Sequence, residues 1–197
     1  DHPIGPANQF HASDLEQRVY DPDRAKHHLK KAGHDTIALK LHLAGTAFDA
    51  AVDAGQLYRE TARASGIDIQ VVREPDDGYW SDVWLKKSWV ASYWSGRATE
   101  DWMFSQVYSA DASWNETKWK HPRFNELLTL ARAELDQQKR REMYHEMQLI
   151  CRDEGGSVIP IFRSFMQATS KKIATPEKLA NNWHLDGYKA SERWWFA

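Results

Sequence analysis

At 197 residues the chain is long enough for one domain with a sizeable core, or for one lobe with an extension, and its formal charge of -2 with a pI near 6.5 makes it nearly neutral. Its Lys and Arg residues are scattered among acids instead of forming a stripe, which argues against nucleic acid as a partner, and no run of about 18 apolar residues is present to cross a membrane. Cys151 is the only cysteine, so an intrachain disulfide is excluded while the redox compartment stays open.

Residues 1–20 open on Asp1-His2-Pro3-Ile4-Gly5-Pro6 and read as an irregular lead-in. No start Met and no basic-then-apolar leader precede it, so the expectation is that a leader was removed or that the sequence is an excised piece. At Asp21 the signal sharpens into an N-cap, with Pro22 at the first helical position and Asp23 suited to the helix dipole. Ala25, Leu29 and Ala32 follow at helical spacing and Gly33 ends the helix. Residues 36–44 alternate Ile37, Leu39, Leu41 and Leu43 with small or polar neighbours, predicting a strand with one apolar face. A helix over 48–64, closed by Gly66, leads to a second strand carrying Ile67, Ile69 and Val71, which Pro75-Asp76-Asp77-Gly78 stops. This alternation predicts a βαβ unit with a parallel pair and a right-handed crossover.

Tyr79 to Lys87 reads as a short helix with Trp80, Val83 and Trp84 on one side, leading into an uncharged, aromatic strand over 89–94. Ser95-Gly96 bounds that strand, and Thr99 caps a helix with Glu100 and Asp101 in its first turn. A polar loop over 109–116 follows. Phe124, Leu127, Leu128, Ala131 and Leu135 then mark an amphipathic helix over 121–135, and Asp136 caps a second whose stripe is Met143, Tyr144, Met147, Ile150 and Cys151. The two form an αα-hairpin ending at Gly155-Gly156, with Cys151 read as a small buried hydrophobe. Ser157 to Phe162 is β-rich, and Pro160 makes it an edge or crossing segment. Beyond Arg163, large apolar residues from Phe165 to Phe196 lie among polar ones without a period. Each would gain roughly 1.5–3 kcal/mol from full burial, but no regular element is evident there, so the segment should pack on something else.

Several stretches together resemble the second lobe and C-terminal end of a peptide/nickel-type (family 5) solute-binding protein, the extracytoplasmic receptor of an ABC importer. Residues 20–33, YDPDRAKHHLKKAG, are similar to that family's YDPxKAxxLLxxAG. Further matches are Gly66-Ile67-Asp68-Ile69, Ser92 to Arg97, Arg123 to Leu128, and Lys139 to Tyr144 continuing through Ile159-Pro160-Ile161. The resemblance implies an α/β, periplasmic-binding-protein-like lobe with a mixed sheet flanked by helices. It implies a lead-in over 1–12, a ligand-binding lobe over 13–163, and a segment over 164–197 that returns to a missing N-terminal lobe, with hinge crossings near 10 and 163. The implied protein is periplasmic, carries no cofactor, and passes a small-molecule or peptide solute to ABC permease subunits in the membrane.

In peptide-binding members an aspartate at the end of the strand matching 89–94 pairs with the ligand's α-amino group, and Trp94 falls at that place. Arg97, in the following turn, offers a donor fork suited to a carboxylate, which points to a solute with an acidic group. The competing reading has Arg97 paired with Glu100 or Asp101 on the surface. Tyr93 and Trp94 alternate, so one should face the core and the other a cleft, Trp94 being nearer the turn. Ser95 and Gly96 would offer backbone groups, and Trp114 with Asn115, in the polar loop, are further cleft candidates. Trp80 and Trp84 read as core. Nine histidines raise the question of metal, but His27-His28 diverge on a helix and no HExxH or Cys/His set occurs, so no metal site is expected. No catalytic triad or phosphate loop appears. The ten tryptophans and the Glu100-Asp101 pair also admit a carbohydrate-active enzyme, whereas a helical interaction module conflicts with four strand patterns.

Overall fold

The computed structural model describes residues 1–180 and 183–197; positions 181 and 182 of the C-terminal segment lie outside the described residues. The chain divides into two compact units, one formed by Arg18–Trp94 and the other by Asp1–Gln17 together with Ser95–Ala197.

In the first unit, α1 (Pro22–Lys31) starts as its sequence dictates, with the Asp21 side chain accepting the Arg24 N–H at the N-cap and Pro22 in the first turn. No residue of α1 is buried, so its capping and not its packing fixes its limits. β1 (Ile37–Leu43) and β2 (Ile67–Arg73) pair in parallel, with Ile37 opposite Ile67 and Leu43 opposite Arg73, and α2 (Ala51–Arg63) is the crossover between them. The predicted βαβ unit is present. Leu41, Leu43, Ile69 and Ala62 bury together where helix and sheet meet, while Leu39, on the same face, is exposed. A Cβ on Gly55 would lie 2.4 Å from Leu43 Cδ2, so α2 crosses β1 at a separation that only glycine permits without displacing a packed side chain.

After β2 the expected helix over 79–87 is a single π-helical turn, Tyr79–Val83, closed by Trp84 N–H to the Tyr79 carbonyl at 3.0 Å. That wider turn points Tyr79 and Val83 inward, against Ala44, Ala47 and Ala51, and leaves Trp80 on the surface; the expectation that Trp80 is core is corrected. The strand expected over 89–94 reduces to one parallel bridge, Val90 beside His42, made by His42 N–H to Trp89 O (3.0 Å) and Ala91 N–H to His42 O (2.9 Å). None of Trp89 to Trp94 is buried. The Tyr79 hydroxyl lies 2.6 Å from the Ala91 carbonyl and takes an acceptor that a longer ladder would use.

In the second unit α3 (Glu100–Met103) begins with the Thr99 hydroxyl accepting the Trp102 N–H, and a π-helical turn, Phe104–Tyr108, continues it. α4 (Pro122–Ala133) and α5 (Gln137–Glu154) form the expected hairpin. Phe124, Leu127, Leu128 and Ala131 face Tyr144, Met147, Ile150 and Cys151 as buried stripes, and Phe104 stands edge-on to Phe124 at 5.2 Å. Burial pushes the Cys151 thiol well above its ordinary pKa, in keeping with a packing role. Leu135 is 88% exposed: the helix stops at Ala133 because Glu134 turns extended, which removes Leu135 from the stripe.

The lead-in has no helix or strand, yet Ile4, Phe10 and Ala12 are buried, and Phe10 stacks on Tyr144 at 5.2 Å. Residues 157–162 form no strand and pair with none of the described ones, in keeping with the donor that Pro160 lacks; Val158 and Ile161 are exposed. The C-terminal segment is more ordered than its pattern suggests. β3 (Ile173–Ala174) and β4 (Trp195–Phe196) pair antiparallel, and between them lie two short turns, α6 (His184–Tyr188) and α7 (Ala190–Arg193). Leu185, Asp186, Gly187 and Tyr188 all have positive φ, and the turn is held by Asp186. Its carboxylate, 1% exposed, accepts from Arg193 Nη1 and the Ala180 N–H, each at 2.6 Å, and from Trp194 Nε1 at 3.3 Å. Parallel and antiparallel pairings thus both occur, in separate two-stranded sheets.

Candidate functional site

The candidates from sequence fall in both units: Tyr93 and Trp94 end the first, and Ser95, Gly96, Arg97, Trp114 and Asn115 belong to the second.

In the first unit Tyr93 is 58% exposed and Trp94 is half-buried, so neither enters the core and the expected division of one in, one out is replaced by two surface-facing rings. The irregular backbone after Val90 breaks the alternation on which that expectation depended. Trp80 stands edge-on to Tyr93 at 5.8 Å and to Trp84 at 5.9 Å, and Trp84 leans on Trp94 at 6.3 Å. Trp80 and Trp84 therefore join the candidates, which a helical-period reading of 79–87 could not reveal. Beside the cluster, His42 Nδ1 lies 2.6 Å from Glu74 Oε1 at the carboxyl ends of β1 and β2.

In the second unit Arg97 closes its own turn. Its Nη1 donates to the Ser95 carbonyl (2.8 Å), the Ser95 hydroxyl (3.0 Å) and the Gly96 carbonyl (3.3 Å), and its Nε donates to Gln106 Oε1 at 2.7 Å. The guanidinium sits 5.4 Å from the Trp102 ring, and partial burial lowers its pKa. The two acids offered as rival partners are held elsewhere. Glu100 is buried and accepts the Phe10 N–H at 2.7 Å, while Asp101 accepts from Arg132 Nε at 2.6 Å and from the Ser105 hydroxyl. With one acid inside the core and the other clamped by arginine, the pair is not the facing set of carboxyls that a glycoside hydrolase needs, so it gives the carbohydrate-enzyme alternative no support.

Trp183 was missed by the sequence reading. Its Nε1 donates to the Gly96 carbonyl at 2.8 Å, and its ring stacks on Tyr188 at 5.9 Å and meets Trp102 edge-on at 6.3 Å. No local pattern marks it, because its partner lies 87 positions earlier. In the polar loop Trp114 is exposed, whereas Asn115 is buried and ties the loop, its Nδ2 donating to the Trp119 carbonyl at 2.7 Å and the Ser109 carbonyl at 3.2 Å. Among the described residues no group of three or more His, Cys, Asp or Glu is placed to hold a metal ion, and no helix is long and apolar enough to cross a membrane.

No family model matches the sequence. Over 187 residues, 86% of the chain, it is 26% identical to the dipeptide-binding protein of Escherichia coli (strain K12), of which it covers 34%. Among solved structures it superposes on the periplasmic binding protein DppA from Helicobacter pylori in complex with the peptide STSA, with a TM-score of 0.66, 20% identity, and coverage of 78% of this chain and 31% of that one. It likewise superposes on NikZ from Campylobacter jejuni in complex with Ni(L-His), with a TM-score of 0.67, 15% identity, and coverage of 79% and 35%. The chain thus spans about a third of the length of the relatives it matches.

Proposed function

From the premise that this chain carries part of the periplasmic-binding-protein-like fold of the peptide/nickel-type solute-binding proteins, we infer that it is the solute-capturing lobe of an ABC importer's receptor. The observation that carries the reading is the similarity to the dipeptide-binding protein, which runs along 86% of the chain and not through one motif.

On this reading the work is binding and not catalysis. The solute is peptide-like or another small molecule bearing an acidic group, and Arg97 contributes charge in the second unit; the exposed aromatic group around Tyr93 and Trp94 is taken separately, as an apolar surface of the first unit. Two lobes close on the solute by a hinge and present it to permease subunits in the membrane, so the protein works in the periplasm. The segment over 164–197 packs against the other lobe, which accounts for Met166, Tyr188, Trp195 and Phe196 standing exposed.

The test is native mass spectrometry of the purified two-lobed receptor that carries this chain, followed by calorimetry with single defined dipeptides. Saturable binding without turnover is the expected result. Catalytic cleavage of glycosides, or of the peptides themselves, would overturn the reading, as would the absence of saturable binding to any small solute.

A further inference from the structure

α1 stands apart from the rest of the first unit in its charge. Across the chain Lys and Arg lie among acids, but from Arg24 to His34 the sequence holds Arg24, Lys26, Lys30 and Lys31 with three histidines and no acid. At 3.6 residues per turn, His27, Lys31, Arg24 and His28 fall within about 100° of one another, flanked by Lys30 and Lys26 and turned away from Ala25 and Leu29. Ala25 and Leu29 are half-buried and hold the helix to the body: Leu29 Cδ2 lies 3.5 Å from where a Cβ on Gly66 would stand. Of the four exposed cations, Lys26 pairs with Asp23 at 3.4 Å, whereas Arg24, Lys30 and Lys31 make no ion pair among the described residues. Beside the helix Val19 is 80% exposed, and Tyr20 and Leu57 are 67% exposed. The Tyr20 hydroxyl donates to the Thr61 carbonyl at 3.0 Å, which seats its ring on α2 one helical turn from Leu57. Gly66 precedes β2, so α1 lies at the amino ends of β1 and β2, whereas Tyr93 and Trp94 follow the bridge to His42 near the carboxyl ends, roughly 20 Å away along a seven-residue strand.

We propose that the outer face of α1, together with Val19, Tyr20 and Leu57, docks this unit on an anionic membrane surface. Lipid phosphates form a mobile layer of negative charge that presents no fixed acid positions, which suits lysine ammonium groups on flexible stems. A protein partner fits less well, because Lys is depleted at protein interfaces, where each one must shed its hydration and meet a placed acid. The same cost disfavours a further segment of this protein as the cover. The apolar side chains beside the helix would enter the headgroup region, where tyrosine rings concentrate. Four cations, one of them paired, make a weak and reversible contact and fall short of the stripe that nucleic acid needs. The inference goes beyond the receptor reading and stands without it: a membrane contact at the amino ends of β1 and β2 leaves the candidate solute contacts of this unit, at the carboxyl ends, uncovered.

The experiment uses the full-length protein that carries this chain, sedimented with vesicles of equimolar phosphatidylglycerol and phosphatidylcholine or of phosphatidylcholine alone. Binding to the anionic vesicles and not to the neutral ones is expected, and it should be lost as salt is raised from about 0.1 M to about 1 M, which shortens the Debye length from about 10 Å to about 3 Å. Each Lys or Arg near such a surface is worth about fivefold in affinity, so Arg24→Gln, Lys30→Gln and Lys31→Gln together should weaken binding about a hundredfold. Lys87→Gln, Lys120→Gln and Lys139→Gln together remove the same charge elsewhere and should leave it nearly unchanged. Both triple variants should keep the parent's unfolding midpoint, since the exchanged side chains are exposed and Gln is a good helix former. Equal losses in the two variants would make net charge the cause and overturn the proposal, as would the absence of binding to anionic vesicles. Retention on immobilised polyglutamate without vesicle binding would assign the face to an acidic protein and overturn the lipid assignment. Vesicle binding by a protein that binds no dipeptide would sustain the proposal and count against the receptor reading; dipeptide binding without vesicle binding would overturn the proposal alone.

Discussion

The Glu100 carboxylate accepts the backbone N–H of Phe10 at 2.7 Å, joining the first turn of α3 to the lead-in across 90 positions of sequence. Both are buried, so the bond is shielded from water and the amide has no solvent to turn to when its acceptor is removed. Glu100→Ala is expected to destabilise the chain by about 1–3 kcal/mol, and Glu100→Gln, which keeps an acceptor oxygen, by distinctly less. Urea unfolding followed by circular dichroism decides the point; equal losses for the two variants would show that the carboxylate's charge, and not its acceptor oxygen, matters.

The same seam has a second tie. Gln148, fully buried on α5, accepts the Ala12 N–H at 2.9 Å and donates to the Phe10 and Tyr144 carbonyls at 2.8 Å each. Gln148→Leu, close in size and apolar, strands the Ala12 amide and the Phe10 carbonyl, while the Tyr144 carbonyl keeps its helical donor, and should cost about 1–3 kcal/mol by the same measurement. A neutral substitution would mean that the lead-in detaches at little cost.

How far the sequence revealed this molecule depends on the range of the interactions. Asp21, Pro22, Thr99 and Asp136 act within one helical turn of themselves, so the starts of α1, α3 and α5 were readable. The parallel pair was readable because alternation and helical spacing differ over a few residues. Glu100, Gln148 and Trp183 act on partners about 90 to 140 positions away, and their own neighbourhoods carry no sign of it. From its neighbourhood Glu100 reads as a first-turn acid, an Arg97 partner or half of a carboxylate pair, and none of these points to Phe10. At the candidate site, Arg97 was legible as a donor fork, but the closing of that fork on Ser95, Gly96 and Gln106 was not. Trp80 was misjudged for a different reason: a π-helical turn shifts the inward position by one residue relative to an α-helix, which exchanges Tyr79 for Trp80.

His2 supplies a pH dependence. It is buried, its Nδ1 has no hydrogen-bond partner, and burial, followed by the nearby His11, lowers its pKa from 6.5 to about 4. The amino terminus, Arg152 and His145 act in the same direction. The unfolded chain therefore binds the proton more readily than the folded one. Stability is unaffected by this group above the unfolded value, falls as pH drops from 6.5 toward about 4, and levels off below. The slope is at most about 1.4 kcal/mol per pH unit. His2→Phe should remove it, as read from chemical unfolding midpoints at pH 7, 6, 5 and 4; an unchanged slope would assign it to other groups.

Arg97 joins the turn's structure to its proposed chemistry, and the two roles separate experimentally. Arg97→Ala should weaken binding of N-acetyl-alanyl-alanine about tenfold or more, equivalent to about 1.4 kcal/mol, by calorimetry. Arg97→Lys keeps the charge but loses the fork that spans Ser95, Gly96 and Gln106, and should fall between wild type and Arg97→Ala. Unchanged affinity in both variants would remove Arg97 from the site.

The C-terminal segment folds around Asp186 yet leaves large apolar groups uncovered. Trp195 and Phe196 form the two-residue strand β4 with both side chains exposed, Phe196 at 84%, and Tyr188 and Leu185 are exposed on the left-handed turn. Two antiparallel residues cannot bury such side chains, and the Asp186 hydrogen bonds fix the backbone without covering them. The isolated chain should therefore bind a hydrophobic dye or self-associate through this segment. Replacing Trp195 and Phe196 together by Ser should abolish most of the dye fluorescence while leaving the unfolding transition of α4 and α5 in place. A monodisperse monomer by light scattering, with no dye binding before substitution, would show that these side chains find cover within the chain and that no partner surface is needed to explain them.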